Sequence, residues 1–430
     1  MAAELISTIL LLFILIASAA ILIMSIKKDR VKKELPQQDP PRLPFPQHVS
    51  FITGSLQPDQ ISQEEQDKVV IENYQAWKSA FVLADAEPAR SFLRMGVEKH
   101  LLRFRLLVSA EGQGYAMLIS VLMAGADPDA QATFDRLYAF CRAHPSKANP
   151  ALMSWQVSPD AFPSRALGSS SQADLLIAYS LLMADRQWSS EGRVNYRNRA
   201  LNIIQALKDQ CIHPEENCVL PGNWVEDQSP EVATGTRPVD FAPLIFNAFY
   251  QETKDPIWKD VSAQMKVFLK KASKFGQDAL LLPPEMINIA KLEQKQAQDN
   301  ANNETFTSVP AALLMHLSLA ALLNGDKDAS AFLEGINRWI INACDGDAGR
   351  IKSCYTLQGE EASNEKDLAL SALLGMAAVH PSSTQSWLNS LWDELTKESE
   401  PPNDPLTSTL RLMAMILISR NWWKLQDRRG

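Results

Sequence analysis

The chain has 430 residues, and 42 Lys and Arg against 50 Asp and Glu give it a formal net charge of −8. Apolar residues make up 46% and charged residues 21% of the sequence, which excludes a disordered or low-complexity protein. The acidic balance argues against nucleic acid as a partner, because phosphate binding needs a basic surface.

The first predicted element is a membrane anchor. Residues Leu5 to Ile26 form a stretch of about 22 residues without a charged side chain, and about 20 apolar residues suffice to cross a bilayer. A cleaved signal peptide would have a shorter apolar region after a basic start, whereas this chain starts Met-Ala-Ala-Glu. The sequence therefore predicts one uncleaved transmembrane helix, with residues 1–33 as the anchor and its basic flank.

Two features disagree about the side of the membrane on which the rest of the chain lies. The basic run KKDRVKK at 27–33 favours the cytoplasmic side. The pairs Cys211/Cys218 and Cys344/Cys354 bracket short polar segments, an arrangement typical of disulfides formed in an oxidising compartment. Five unpaired thiols are the alternative, so the cysteines alone do not decide the topology.

The remaining chain is predicted to be a linker followed by one helical domain. Residues 34–66 include the Pro-rich segment ELPQQDPPRLPFPQH, which disfavours a helix. From about Val69, apolar residues recur with helical spacing in about a dozen segments. No fixed repeat of the solenoid type is present, and long irregular segments interrupt the helices. This pattern predicts an all-α domain over 67–430, a barrel of helix pairs whose loops gather into a cleft.

The segment SAEGQGYAM, from Ser109 to Met117, carries the clearest chemical signal. It places the carboxylate of Glu111 beside two glycines at the start of an apolar helix, and glycines let a ligand approach the backbone closely. A helix N-terminus also influences nearby charge. From the spacing alone, a structural role for Glu111 at the helix start remains an equally open interpretation.

This segment resembles the SEGxGYGM motif of glycoside hydrolase family 8, which includes bacterial endoglucanases of cellulose-synthesis operons. Further segments resemble the family in matching order. They are YQAWKSAFV (74–82), similar to the family's first barrel helix; residues 170–188, similar to ASDADxxIAYxLLxAxxxW; LPGNW (220–224), similar to LPGxW; TRPVDF (236–241), similar to TRPSDF; and LPPE (282–285), similar to LxPDW.

The resemblance implies an (α/α)6 barrel and inverting hydrolysis of a β-1,4-glucan or a related polymer. Glu111 matches the family's general acid. For Arg237 and Asp240 a structural ion pair is the alternative to sugar binding, and for the two tryptophans the alternative is core packing. The residues expected to bind substrate are Tyr115, Trp155, Gln172, Trp224, Arg237 and Asp240.

Two departures from the family bear on activity. Gln172 stands at the first Asp of the ASDAD signature, and Pro310 stands where the family's YDAxR segment carries the usual base. Some family members take the base from another loop, so Glu285 or Glu304 is the candidate for that role. With two acidic positions replaced, the sequence favours reduced activity slightly over a relocated base.

Three functions therefore remain open. The first is a membrane-anchored hydrolase that acts on a β-1,4-glucan-type exopolysaccharide as it leaves a synthase. The second is a catalytically impaired relative that binds glycan or docks on the polysaccharide synthesis machinery. A helical scaffold without a sugar site is the third. Because a polysaccharide cleft is of most use outside the cell, we expect the domain on the outer side of the bacterial cytoplasmic membrane.

No cofactor and no metal site is predicted. The six histidines are scattered, and neither HExxH nor CxxC occurs, so the sequence offers no recognisable zinc ligand set. A Gly-rich phosphate loop is also absent, which argues against nucleotide binding.

Overall fold

The structure is a computed structural model that describes residues 40–425, apart from 101–102, 160–166, 225–234, 277–278, 290–291, 293–303 and 398–403. The predicted anchor, Leu5 to Ile26, and its basic flank lie outside the described residues. Within the described ranges, no helix combines the length and the apolar character needed to cross a membrane.

The described part of the chain is built mainly from helices. In chain order they are α1 (Gln63–Phe81), α2 (Ala110–Leu122), α3 (Ala130–Ala143), α4 (Ser171–Trp188), α5 (Tyr196–Cys211), α6 (Pro243–Thr253), α7 (Ile257–Ala272), the one-turn α8 (Ser308–Ala311), α9 (Leu313–Asn324), α10 (Lys327–Ala343), α11 (Leu368–Ala378), α12 (Gln385–Thr396) and α13 (Pro405–Ile418).

These helices form a closed ring of six pairs. The inner helices α2, α4, α6, α9, α11 and α13 each contact the next one, and α13 returns to contact α2. Each inner helix also packs against one outer helix, which is α3, α5, α7, α10, α12 and α1 in the same order. The structure thus confirms the predicted helical barrel over the described part of 67–430.

The inner and outer helices differ in how much of their surface is buried. In α11 every residue from Ala369 to Ala378 is buried, because neighbours surround this helix on all sides. Helix α10 instead buries one stripe, with Ala329, Phe332, Ile336 and Ile340 at helical spacing. Burying each large apolar side chain contributes about 1.5–3 kcal/mol, so the apolar ring is what holds the barrel together.

Short antiparallel strands lie at one end of the barrel. They pair as β1 (Val82–Ala84) with β2 (Ser91–Leu93); β3 (Gly96–His100) with β4 (Arg103–Ser109) and β4 with β5 (Gln156–Val157); β6 (Gly235–Thr236) with β9 (Ile287–Asn288); β7 (Lys274–Phe275) with β8 (Leu280–Leu281); and β10 (Thr305–Phe306) with β11 (Tyr355–Thr356). The sequence analysis missed β3 and β4, because the apolar run Leu106 to Val108 does not alternate with the period of a half-buried strand.

Residues 41–61, which we call the strap, lie across the opposite end of the barrel. They form no helix or strand, and α1 begins at Gln63, inside the range 34–66 that the sequence predicted as a linker. The last carbonyl groups of a helix lack partners inside the helix, and backbone N–H groups of the strap donate to carbonyls at five inner-helix ends. The bonds are Arg42 to Gln187, Phe45 to Ala124, Val49 to Arg420, Ile52 to Leu322 and Leu56 to Val379.

The predicted disulfides are not formed. All five cysteines in the described part of the chain are free thiols. The backbone N–H of Leu220 donates to the carbonyl of Cys211, and that of His213 donates to the carbonyl of Cys218. This register sets Cys211 and Cys218 diagonally rather than opposite each other. Both side chains are buried, so the spacing reflects core packing and gives no support to an oxidising compartment.

Candidate active site

One cavity lies at the end of the barrel where the inner helices begin. Its lining includes residues at or just before the starts of α2, α4, α6, α9 and α13, and its volume is about 250 Å³. Among these residues are Glu111, Tyr115, Gln172, Arg237, Pro310 and Leu406.

Glu111 is fixed by the start of α2. The Ser109 Oγ accepts a hydrogen bond of 3.0 Å from the backbone N–H of Gly112 and so caps the helix. The two neighbouring glycines serve packing rather than a ligand. A Cβ on Gly112 would lie 2.6 Å from the Met95 sulfur, and one on Gly114 would lie 2.8 Å from the Cβ of Leu176 on α4. Glycine at both positions therefore lets the strands and α4 pack closely behind the carboxylate.

Two side chains at the start of α4 bond to residues that line the cavity. Ser170 Oγ donates a hydrogen bond of 2.5 Å to Glu111 Oε1. Gln172 Nε2 donates one of 2.9 Å to the Tyr115 hydroxyl. Burial, and then the neighbouring Glu111 carboxylate, raise the pKa of Tyr115, so its phenol remains protonated and able to donate. The cavity thus contains both Tyr115 and Gln172, as predicted from the sequence.

Arg237 and Asp240 form a bidentate ion pair. The Arg237 Nε and Nη2 donate to the two Asp240 oxygens at 2.8 and 2.9 Å, and the backbone N–H of Gln172 adds a further hydrogen bond to this carboxylate. Asp240 is fully buried and is not part of the cavity lining. The structure shows the ion pair, and sugar binding by Asp240 stays a prediction.

Arg237 itself lines the cavity. Burial disfavours its charge, but Asp240, followed by Glu111 and Glu285, raises the pKa of Arg237. The guanidinium is therefore a permanent positive charge that interacts with both cavity glutamates.

Glu285 provides a second carboxylate. It lies two residues before β9, which pairs with β6. In this pairing Ile287 is opposite Thr236. Glu285 is therefore held close to Arg237, the residue that follows Thr236. Glu111 and Glu285 are the acidic residues among the described residues that line this cavity. The wall at Ser308–Ala312 carries no acid, as the sequence indicated, and Glu304 is not part of the lining.

The two tryptophans lie outside this cavity. Trp155 is 43% exposed and precedes β5, and its carbonyl accepts a hydrogen bond of 2.9 Å from the backbone N–H of Ala110, beside Glu111. It is therefore an exposed ring near the acid. Trp224 is half-buried against Gly168, where a Cβ would lie 2.5 Å from its indole, so packing is the role observed for Trp224.

Asp174 is a buried carboxyl group that the sequence analysis did not single out. It is 1% exposed, its Oδ1 accepts a hydrogen bond of 3.1 Å from the backbone N–H of Met153, and its Oδ2 has no partner among the described residues. Burial, with a further contribution from Glu111, raises the pKa of Asp174 well above its usual value. The sequence could have pointed to Asp174, because it stands at the second Asp of the ASDAD-like segment.

The raised pKa of Asp174 predicts a pH-dependent effect on stability. Above about pH 4 the unfolded chain releases this proton while the folded state keeps it, so the free energy of unfolding falls as the pH rises. Asp174→Asn removes this dependence and keeps an acceptor for Met153. We expect urea unfolding to show that the variant gains stability relative to the wild type between pH 4 and pH 8. Parallel pH profiles for the two proteins would contradict this assignment.

The groups in the cavity are those of acid–base chemistry. A proton donor and a proton acceptor on different walls are what the hydrolysis of a glycosidic bond requires. Tyr115, Gln172 and Arg237 add hydrogen-bond donors to the cavity lining. No group of three or more His, Cys, Asp or Glu within the described ranges could hold a metal ion.

Comparison with known proteins shows what this arrangement is similar to. The profile of Glycosyl hydrolases family 8 matches residues 63–420. A β-glucanase of Niallia circulans is 30% identical over 390 residues, which cover 89% of this chain and 92% of that protein. An endoglucanase of Bacillus sp. (strain KSM-330) is 29% identical over 89% of this chain and 82% of its own length. The apo structure of a β-1,3-1,4-glucanase from Paenibacillus sp. X4 superposes with a TM-score of 0.80 at 28% identity, covering 90% of this chain and all of that one.

Proposed function

The chain belongs to glycosyl hydrolases family 8, and from this premise we propose that it hydrolyses a β-glucan at β-1,4 linkages with inversion. Glu111 donates a proton to the leaving oxygen as the C1–O bond breaks. Water adds to C1 from the opposite face and gives its proton to Glu285, the relocated base. The observation that carries the proposal is that these two glutamates line one cavity from different elements, α2 and the segment between β8 and β9.

The position of Arg237 supports this pairing. Its charge interacts with both Glu111 and Glu285, so both carboxylates lie near one cation rather than at distant ends of the cleft. The wall at Pro310 is apolar, and Val309 beside it is exposed. A carboxylate that activates water must therefore come from another wall, and Glu285 supplies one among the described residues of the lining.

β-Glucans are the substrates that the relatives favour. The similar proteins are a β-glucanase, an endoglucanase and a β-1,3-1,4-glucanase. The test is the release of reducing sugar by the purified enzyme from a mixed-linkage β-glucan and from a soluble β-1,4-glucan. We expect release from at least one of them. No release from either polymer, with binding retained, would contradict the hydrolase and favour the impaired glycan-binding relative.

We also propose that residues 5–26 anchor the enzyme in the cytoplasmic membrane, with the barrel on its outer side. There it would act on an exopolysaccharide beside the synthesis or export machinery. The apolar stretch supports the anchor, and a cleft for a polymer supports the outer side. The free thiols contribute nothing to this placement.

Protease treatment of intact spheroplasts tests the topology. We expect a C-terminally tagged barrel to be cleaved from outside, because the domain lies beyond the membrane. The same digestion after detergent lysis is the control for intrinsic protease sensitivity. Protection in intact spheroplasts, with cleavage after lysis, would place the barrel inside the cell as the basic run at 27–33 suggests.

A further inference from the structure

The first turn of α4 differs from the family signature at two neighbouring positions. Where the ASDAD segment has Ala, this chain has Ser170, and where it has the first Asp, this chain has Gln172. Both of these side chains bond to residues that line the cavity: Ser170 to Glu111 and Gln172 to Tyr115.

We propose that Ser170 is a positioning residue for the general acid. Its hydroxyl donates to Oε1 of Glu111 and thereby leaves Oε2 to carry the proton. That proton then bonds to the leaving oxygen, which keeps the electron pair of the broken C1–O bond. This inference rests on the proposed function and adds a residue that sets which oxygen of the acid is protonated.

The Ser170 hydroxyl does not cap its own helix. Ser170 is the N-cap of α4, and an N-cap serine usually accepts from its own helix, but here its side chain makes no capping bond. Its neighbour Ser171 donates instead to the carbonyl of Leu220 at 2.5 Å. Of these two serines, therefore, only Ser170 hydrogen-bonds the acid.

Several ionisable groups surround Glu111, the residue that Ser170 contacts. Glu111 interacts electrostatically with Asp174, Asp240, Arg237 and Tyr115, and Glu285 lines the same cavity. Asp174 is kept neutral by burial, and Asp240 is paired with Arg237.

Gln172 removes the further carboxylate that the signature would place in this cavity. The hydrogen bond from Ser170 distinguishes the two oxygens of Glu111, because it occupies Oε1 and leaves Oε2 for the proton.

The test compares Ser170→Ala with two matched variants. Ser171→Ala removes a neighbouring hydroxyl with an equally short bond that does not reach Glu111, and Ser170→Thr keeps a hydroxyl in place. We expect Ser170→Ala to lower kcat about tenfold, the effect of losing one hydrogen bond to a charged group, with KM nearly unchanged. Ser170→Thr should recover most of the lost kcat, and Ser171→Ala should match the wild type.

A second measurement does not depend on turnover. The signal of the side-chain carboxyl carbon of Glu111, assigned by its disappearance in Glu111→Gln, is recorded by NMR at one pH. We expect its chemical shift to change in Ser170→Ala but not in Ser171→Ala. If the wild type hydrolyses β-glucan while Ser170→Ala equals Ser171→Ala in kcat, the role of Ser170 is overturned and the function stands. If the wild type is inactive, the proposed function fails, and an unchanged chemical shift would overturn the contact as well.

Discussion

Glu111→Gln is expected to lower kcat on β-glucan by about 10²–10⁴-fold, the usual contribution of a positioned general acid. The amide keeps the size of the side chain and an oxygen that accepts from Ser170, but it has no proton to transfer. Because the substituted group takes part in the chemical step rather than in binding the ground state, KM should change little. Reducing-sugar release at saturating substrate gives kcat, and circular dichroism checks that the variant is folded.

A change of leaving group separates this role from a structural one. An aryl β-glucoside oligomer with an acidic phenol as leaving group needs little protonation, so Glu111→Gln should lose much less activity on it than on the natural polymer. An equal loss on both substrates would contradict the role of Glu111 as proton donor and point to a misplaced helix start.

The helical barrel could be predicted because its signal is local. An inner helix such as α9, LLMHLSLAALLN, is buried at every position except its last, and an outer helix such as α10 is apolar along one stripe. Helical periodicity reports both patterns directly. The strap could not be predicted in the same way, because its backbone is ordered by carbonyls at inner-helix ends, such as Leu322 and Arg420, that are far away in the sequence.

The site could be predicted where a motif carried it and not where pairing between distant strands created it. Glu111 and Gln172 lie at helix starts within recognisable segments, and the structure brings both into the cavity. Glu285 reaches the same cavity through the pairing of β6 with β9, strands of two residues each that have no usable sequence pattern. Asp240 shows that a motif match does not reveal burial: the motif gave no sign that the Asp240 oxygens are buried against Arg237.

Glu285→Gln is expected to lower kcat by about 10²–10⁴-fold, because the variant cannot accept the proton of the attacking water. This loss should be equally large on the aryl oligomer, since activation of the water does not depend on the leaving group. The contrast with Glu111→Gln is the informative result: one variant is rescued by a good leaving group and the other is not. Initial-rate assays on both substrates measure it.

Glu304→Gln is the matched control, because Glu304 is a nearby acid in the sequence that is not part of the cavity lining. The kcat of this variant should stay close to that of the wild type.

The configuration of the first product, read by NMR before mutarotation, is a second test of the mechanism. Inversion gives the α-anomer, since water attacks opposite the departing oxygen with a base on that side. A β-anomer, or an active Glu285→Gln beside an inactive Glu304→Gln, would move the base away from the segment between β8 and β9.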